Sequence, residues 1–179
     1  PDGNKDSYPV VIVIHGSGWR ANNKKSIDYG RNVFVNPLIQ KNFAVAIINH
    51  RSSTLDSIFP AQIHDLKAAV RFLRAKTKDL KIDTSFIGIT GYSSGGHLAA
   101  LAGTPSYDRS VEGNVGKFLN FSSHIDAVVD FYGPTDMSVF DDCLKTMGKE
   151  FKSPRKIPLF DNFVDQVPKL VQIANPISF

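Results

Sequence analysis

This chain of 179 residues contains a single cysteine, which limits the kinds of covalent cross-link and metal site that it can form. A lone Cys143 excludes an internal disulfide and any zinc site built from several cysteines. No apolar run approaches the roughly 18 residues that a membrane-spanning helix needs, and the densest run is Val10–Ile14. Repeats and low-complexity segments are also missing, which argues against a fibrous or disordered chain.

The charge balance excludes a further class of partner. The 21 basic and 17 acidic residues leave a net charge of +4, scattered along the chain. So mild a charge predicts no nucleic-acid binding. With 42% hydrophobic and 21% charged residues the composition is typical of a globular protein, and the length favours one domain.

Apolar runs of strand length alternate with segments of helical periodicity. This order favours an α/β fold with a mainly parallel sheet and helices on both faces. The predicted strands are Val10–Ile14, Phe43–Asn49, Phe86–Thr90 and Asp126–Tyr132, of which the first two are expected to be buried. The predicted helices run from Ser26 to about Lys41 with an interruption at Pro37, from Pro60 to about Asp79, and from Ser94 to about Ala102.

The helix from Pro60 has the clearest pattern. One face is aliphatic and is predicted to cover the sheet, namely Ile63, Leu66, Val70 and Leu73. The opposite face is polar and is predicted to lie in solvent, namely His64, Lys67, Arg71, Arg74 and Lys78.

The remaining segments have weaker patterns. Residues 101–123 are expected to be irregular, and Val139–Phe151 to be helical in part. Because prolines stand at positions 154, 158, 168 and 176, we expect residues 135–179 to form a cap-like insertion over one end of the sheet. The whole chain, residues 1–179, is predicted to form a single domain.

A G-x-S-x-G pattern, Gly91-Tyr92-Ser93-Ser94-Gly95, lies between the third strand and its helix. The hydroxyl of a nucleophilic serine must project from the sheet so that a carbonyl group can approach it. A tight turn from strand to helix places the hydroxyl in this way, but only if the neighbouring backbone segments pass close to the turn. Glycines two residues before and after Ser93 remove the side chains that would clash. The free amides at the helix start favour an oxyanion. The alternative is a glycine-rich turn without chemistry, and the flanking strand and helix favour the nucleophile.

A second loop, His15-Gly16-Ser17-Gly18-Trp19, follows the first strand. Acyl transfer needs backbone N–H donors aimed at the oxyanion, each worth about 3 kcal/mol of barrier. With the amide of Ser94, this loop is predicted to form the oxyanion hole. Taken alone, the loop is better explained as a turn that merely leaves the strand, and its pairing with the serine turn favours the catalytic interpretation. Trp19 is expected to pack inside the fold, and the alternative is that it lines an acyl or sugar pocket.

Four segments together resemble the α/β-hydrolase fold, in its esterase and lipase branch related to hormone-sensitive lipase and to bacterial acetylxylan and feruloyl esterases. They are VVIVIHGSGW, FPAQIHDLKAAVRFLRA, IGITGYSSGGHLAAL and VVDFYGPTD, and they span Val10 to Asp136. The resemblance implies that Ser93 is the nucleophile and that the amides of Ser17, Gly18 and Ser94 form the oxyanion hole. It also implies that Arg51 and Asp65 pair to brace two loops.

The chain departs from the family pattern at two single residues and in the absence of a histidine late in the sequence. Ser17 replaces a usual glycine, and His50 replaces a frequent tyrosine. The family order is nucleophile, acid, histidine, but no histidine follows His124. His97 lies on the nucleophile's own helix and is expected to pack, whereas Asp136 is a fallback acid or a helix cap.

We therefore expect this chain to be a trimmed, incomplete α/β-hydrolase domain of a longer esterase, without the final strands that carry the acid and histidine. In the complete protein, Ser93 is expected to cleave a carboxylic ester through an acyl-enzyme. The 179-residue chain alone is expected to turn over negligibly. The alternatives are a serine peptidase of the prolyl-oligopeptidase type and a non-catalytic hydrolase-like binding module.

The expected partner is a small-molecule ester, with acyl groups on carbohydrate favoured by the resemblance, which also favours a secreted or periplasmic location. No metal or organic cofactor is predicted, because the sequence has no HExxH, no cysteine pair and no GxGxxG after a strand. The His15–Trp19 loop favours an esterase over a peptidase. The intact serine turn argues against a binding module.

Overall fold

The structure is a computed structural model that describes residues 1–20, 30–54, 56–104, 109–146, 148 and 156–179. At its centre is a four-stranded sheet in the order β2-β1-β3-β4, in which every pairing is parallel. The strands are β1 (Tyr8–Ile14), β2 (Ala44–Ile48), β3 (Ile82–Tyr92) and β4 (Ala127–Phe131). All four predicted strands are confirmed. Because they are parallel, their carboxyl ends meet at one edge of the sheet.

The connections between the strands carry the helices. They are α1 (Asn36–Gln40), which continues a π-helical turn at Arg31–Val35, α2 (Ala61–Ala75), α3 (Thr77–Leu80), α4 (Ser94–Gly103), α5 (Arg109–Glu112), α6 (Phe140–Thr146) and α7 (Pro168–Ala174), with 3₁₀ turns at Val164–Gln166 and Pro176–Ser178. Pro37 lies in the first turn of α1, where a missing N–H is tolerated. Parts of three predicted segments lie outside the described residues, namely 26–29, 105–108 and 147 with 149–151.

The main core lies between one face of the sheet and the helices α2 and α4. The aliphatic face of α2 is buried as predicted, and alternate residues of β1 face it because side chains alternate along a strand. Residues 135–179 add side chains to this core, and their interpretation as a cap-like insertion stays a prediction. The central members are Val10, Ile12, Ile14, Ile63, Leu66, Val70, Ile87, Ile89, Leu98, Leu101, Met137 and Phe160. Within the described residues, no helix has the length and apolar character that crossing a membrane requires.

The two outer strands are less buried than the inner ones. Every residue of β2 is half-buried, because its only strand neighbour in the described sheet is β1. The prediction of a buried second strand is therefore wrong. On β4, Val129 is 53% exposed and Phe131 is 42% exposed. Along the face opposite the main core, an open groove of about 310 Å³ runs between α1 and β4.

The polar face of α2 contradicts its sequence-based prediction. Lys67 is 6% exposed and Arg71 is 2% exposed, whereas Lys78 alone of the residues on that face is exposed to solvent. The cause is the segment around α5, which packs back against α2 and presents Glu112. The Arg71 guanidinium pairs with the Glu112 carboxylate, and Lys67 Nζ lies 3.8 Å from it.

This buried charge cluster is satisfied by hydrogen bonds as well as by charge. Lys67 Nζ donates to the Ala102 carbonyl at 3.1 Å, and Ser123 Oγ donates to the Glu112 carboxylate at 2.6 Å. Burial lowers the pKa of Lys67, and the nearby Glu112 charge partly opposes that shift. One carboxylate thus holds two buried cations, so the cluster depends on Glu112.

We predict that Glu112→Ala lowers the free energy of unfolding by about 2 kcal/mol, because it leaves Lys67 and Arg71 buried without a countercharge. The value lies below that of a fully buried pair because the Glu112 side chain is 43% exposed. Denaturant unfolding measures the change. Asp79→Ala is the matched control, since it removes an exposed pair with Lys76 and should change the stability by less than about 1 kcal/mol. Equal effects of both substitutions would contradict the prediction.

Candidate active site

The corner between β3 and α4 holds Ser93 in a strained backbone conformation. Its φ is +55° and its ψ is −126°, a region that residues with a side chain rarely adopt. The Ser93 amide donates to the Phe131 carbonyl at 3.0 Å, and the His97 amide donates to the Ser93 carbonyl at 3.0 Å. The end of β4 and the first turn of α4 therefore hold the corner from both sides.

Gly91 and Gly95 permit the end of β1 to pass close to this corner. A Cβ atom on Gly91 would lie 2.9 Å from the Ile14 carbonyl oxygen. A Cβ atom on Gly95 would lie 2.6 Å from the His15 carbonyl oxygen. Both distances are shorter than real Cβ contacts, so any side chain would push the backbones apart. The spacing of the G-x-S-x-G pattern thus follows from close backbone approach on both sides of Ser93.

The loop after β1 lies directly against the start of α4. The Ser17 amide donates to Ser94 Oγ at 2.8 Å, which joins the two predicted parts of the oxyanion hole. Gly18 and Trp19 follow with φ values of +59° and +61°, so the loop turns through two successive left-handed residues. The Ser53 amide donates to the Trp19 carbonyl at 2.7 Å and supports the loop from behind.

His97 is a packing residue, as predicted. It is fully buried, and its Nδ1 accepts a hydrogen bond from the Trp19 indole at 3.1 Å. Its Nε2 lies 2.7 Å from the Ala174 carbonyl. Because an indole only donates and a carbonyl only accepts, the ring is the neutral tautomer with its proton on Nε2. Burial lowers its pKa to about 4. Both ring nitrogens are therefore engaged within the fold.

The other histidines also lie in structural contacts. The His15 and His50 rings are buried and stack with centroids 5.7 Å apart, beneath the loop that His15 begins. His50 Nδ1 donates to the Arg51 carbonyl at 2.8 Å, and burial lowers the His50 pKa. His64 contacts the Ser110 carbonyl, and the exposed His124 lies 3.6 Å from Asp126. Among the described residues, no side chain forms a hydrogen bond with Ser93 Oγ.

The predicted pair of Arg51 and Asp65 is confirmed. The Arg51 guanidinium lies 2.9 Å from a carboxylate oxygen of Asp65, and the Arg51 amide donates to the same group at 2.8 Å. Arg51 also donates to the Ala61 carbonyl at 3.2 Å. The pair thus ties the loop after β2 to the first turns of α2.

Asp136 joins two segments of the fold. Its Oδ1 accepts the Ser138 amide at 2.8 Å and the Asn175 side-chain amide at 2.9 Å. Asn175 Oδ1 in turn accepts the Met137 amide at 2.8 Å. Asp136 therefore closes a turn ahead of α6 and fastens it to the end of α7. Its role as a fallback acid stays a prediction.

The sequence does not predict two features of the site. It assigns a role to the Ser94 amide alone, yet the Ser94 hydroxyl accepts a hydrogen bond from the opposite loop. Tyr132 follows the strand that holds the Ser93 amide, has a φ of +46°, and is 76% exposed. Its ring lies 6.4 Å from that of Tyr92. The sequence signal for Ser94 is its position next to Ser93, and the sequence signal for Tyr132 is its position at the end of a predicted strand.

We predict that acid destabilises the fold through His97. Its ordinary pKa is 6.5 and its folded value is about 4, so the unfolded chain takes up a proton that the folded chain excludes. The contribution of His97 is complete above pH 6.5 and is lost as the pH falls toward 4, at a cost of about 3 kcal/mol.

Denaturant unfolding at pH 7 and pH 4 tests this. His97→Asn, which cannot titrate, should lose less stability between the two pH values than the unmodified protein does. His124→Asn removes an exposed histidine and serves as the control. An unchanged pH dependence in His97→Asn would contradict the assignment.

Comparisons with known proteins find similarity to ester hydrolases. The chain is 30% identical over 176 residues to the "Probable carboxylic ester hydrolase LipM" of Mycobacterium tuberculosis, covering 95% of this chain and 37% of the relative. A solved "Bifunctional GH43-CE" from Bacteroides eggerthii is 44% identical with a TM-score of 0.88, covering 100% of this chain and 24% of that one. A "Truncated form of carbohydrate esterase from gut microbiota" is 40% identical with a TM-score of 0.87. The match covers 100% of this chain and 64% of that chain.

More distant esterase structures, at 23% and 18% identity, share the fold with TM-scores of 0.71 and 0.68. The described sheet and helices are thus part of an α/β-hydrolase fold, which confirms the predicted fold class. The chain spans only 37–40% of the length of the first curated relatives it matches. The BD-FAE family model matches residues 1–179. This chain therefore belongs to the BD-FAE family.

Proposed function

We propose that the protein containing this chain is a carboxylic-ester hydrolase that forms an acyl-enzyme on Ser93. One observation carries the proposal: Ser93 occupies a strained corner whose next residue, Ser94, is hydrogen-bonded to the loop after β1. Strain of this kind persists only where the surrounding structure enforces it, and it concentrates at functional sites. Relatives named as esterases or ester hydrolases support the reaction class.

The proposed reaction has two stages. Ser93 Oγ attacks the ester carbonyl carbon and loses its proton to a base, and the carbonyl oxygen becomes a tetrahedral oxyanion. Collapse expels the alcohol and leaves an acyl-enzyme, which water then hydrolyses to release the acid and free Ser93. Backbone amides lower both barriers because they donate to the oxyanion, which carries more charge than the ester oxygen.

The proposed oxyanion donors are the amides of Ser17, Gly18 and Ser94. Ser94 is the first residue of α4, so its amide has no acceptor within the helix. Within the described part of the chain, the Gly18 amide also donates to no protein acceptor. The Ser17 amide already donates to Ser94 Oγ. We therefore assign the direct contacts first to Gly18 and Ser94.

We propose that the base comes from residues outside this chain. Each of the five histidines lies in the described structure, and none of them forms a hydrogen bond with Ser93 Oγ there. A serine without its base stays a neutral hydroxyl, and loss of a triad member costs orders of magnitude in rate. The expectation that these 179 residues alone turn over negligibly stays a prediction.

For the substrate, we propose an ester of a carbohydrate. The two solved relatives at 44% and 40% identity carry printed names that include a CE unit and a carbohydrate esterase. The exposed ring of Tyr132, beside the nucleophile corner, offers apolar surface to a bound substrate.

A fluorophosphonate probe, which reacts with activated serines, tests the nucleophile. The longest natural protein that contains this chain should be labelled stoichiometrically and should hydrolyse p-nitrophenyl acetate. Ser93→Ala should abolish labelling and lower kcat by at least about 10³-fold. Labelling is read by intact-protein mass spectrometry.

Ser85→Ala is the matched control, because Ser85 lies exposed near the opposite end of the same strand. It should leave labelling and activity unchanged. Equal labelling of Ser93→Ala and the unmodified protein would refute the proposal. Hydrolysis of an aminoacyl-nitroanilide in preference to the acetate would instead indicate a peptidase.

A further inference from the structure

We propose that two side chains of α4, the Ser94 hydroxyl and the His97 ring, pin the oxyanion loop on either side of Gly18 and thereby position its amide over Ser93. This inference rests on the proposed function, because the loop has a catalytic task only if Ser93 is the nucleophile. Neither side chain touches the substrate in this account. Both are positioning residues that act through the loop.

The first pin acts on the residue before Gly18. Ser94 is 1% exposed, and its Oγ accepts the Ser17 amide at 2.8 Å. Breaking this bond would leave the buried Ser94 hydroxyl without the partner that the structure gives it, which disfavours displacement of the loop. The Ser17 backbone is thereby fixed to the first residue of α4.

The second pin acts on the residue after Gly18. The Trp19 indole donates to His97 Nδ1 at 3.1 Å, and the two rings meet edge to face with centroids 5.5 Å apart. His97 Nε2 donates to the Ala174 carbonyl at 2.7 Å, which holds the ring in the tautomer that leaves Nδ1 free to accept. The low pKa of this buried ring keeps it in that form near neutral pH.

The loop needs such support because its backbone is strained. Trp19 has a φ of +61°, which is unfavourable for a residue with a bulky side chain, and it directly follows Gly18 at +59°. Without external contacts, the loop would relax toward more ordinary dihedral angles. The two pins come from the same helix that begins at the nucleophile corner, so the Gly18 amide and Ser93 share one rigid support.

The consequence is a specific kinetic signature. A displacement of about 1 Å in a positioning group can cost roughly 10²-fold in rate. Because the oxyanion exists only after attack, losing a pin should lower kcat and leave KM nearly unchanged. A purely structural role would instead lower the fraction of active protein. Counting active sites with the fluorophosphonate probe separates these effects.

The test uses Ser94→Ala, which removes the first acceptor, and Trp19→Phe, which removes the second donor, in the longest natural protein that contains this chain. Each should lower kcat per active site about 10-fold or more, with KM within twofold. The double variant should lose more than the product of the two single losses, since the pins hold one loop. Unchanged kcat per active site in the double variant, or a change confined to KM, would overturn the proposal.

A matched pair at position 97 isolates the hydrogen bond from the packing. His97→Asn keeps an acceptor near the position of Nδ1, and His97→Gln keeps a donor near the position of Nε2. His97→Asn should retain the higher kcat per active site, because it preserves the bond to Trp19. The reverse order would show that the contact with Ala174 is the important one and would overturn the second pin.

Two controls keep the outcomes distinct. Ser123→Ala removes a buried hydroxyl that binds Glu112, far from the loop in sequence, and should leave kcat per active site unchanged. Ser93→Ala reports on the proposed function itself. Full activity in Ser93→Ala would refute that function, whereas an inactive Ser93→Ala with normal pin variants would refute only this inference.

Discussion

The close passage of three backbone segments at one point governs the rest of this structure. The end of β1, the corner at Ser93 and the first turn of α4 meet where Gly91 and Gly95 leave no room for a Cβ atom. This contact brings the loop after β1 within hydrogen-bonding distance of α4. Ser93 lies at this contact with a positive φ, and hydrogen bonds to Phe131 and from the first turn of α4 hold its backbone there.

Buried polar groups are used in two different ways in this fold. His97 is neutral and fully buried, and it connects the oxyanion loop to α7 through one donor and one acceptor. Lys67 and Arg71 are charged and depend on Glu112 for compensation. A neutral link avoids the desolvation cost of a charge, so it suits a site where geometry must be fixed close to the reacting groups.

The sequence predicted the features that depend on local patterns. The apolar runs predicted the strands, and the helical periodicity predicted α2. The strand before and the helix after the Gly91–Gly95 motif indicated that this motif holds a nucleophilic serine. The pairing of Arg51 with Asp65 was also predicted, through the family resemblance. Each of these depends on residues that lie close in sequence or in segments with a recognisable motif.

The features that the sequence did not predict depend on distant contacts. Lys67 and Arg71 have the pattern of a solvent face, and only Glu112, from a segment without periodicity, makes their burial possible. The half-burial of β2 follows from its place at the edge of the described sheet, which no local pattern encodes. The bonds from α4 to Ser17 and Trp19 join residues 77 and 78 positions apart.

The central claim is that Ser93 faces the amides of the loop after β1. A crystal structure of the complete protein with a phosphonate bound to Ser93 tests it most directly, because the phosphonyl oxygen occupies the place of the oxyanion. The account predicts that this oxygen lies about 2.7–3.1 Å from the backbone nitrogens of Gly18 and Ser94. An oxygen that points into solvent or toward other donors, with both amides left unengaged, would contradict it.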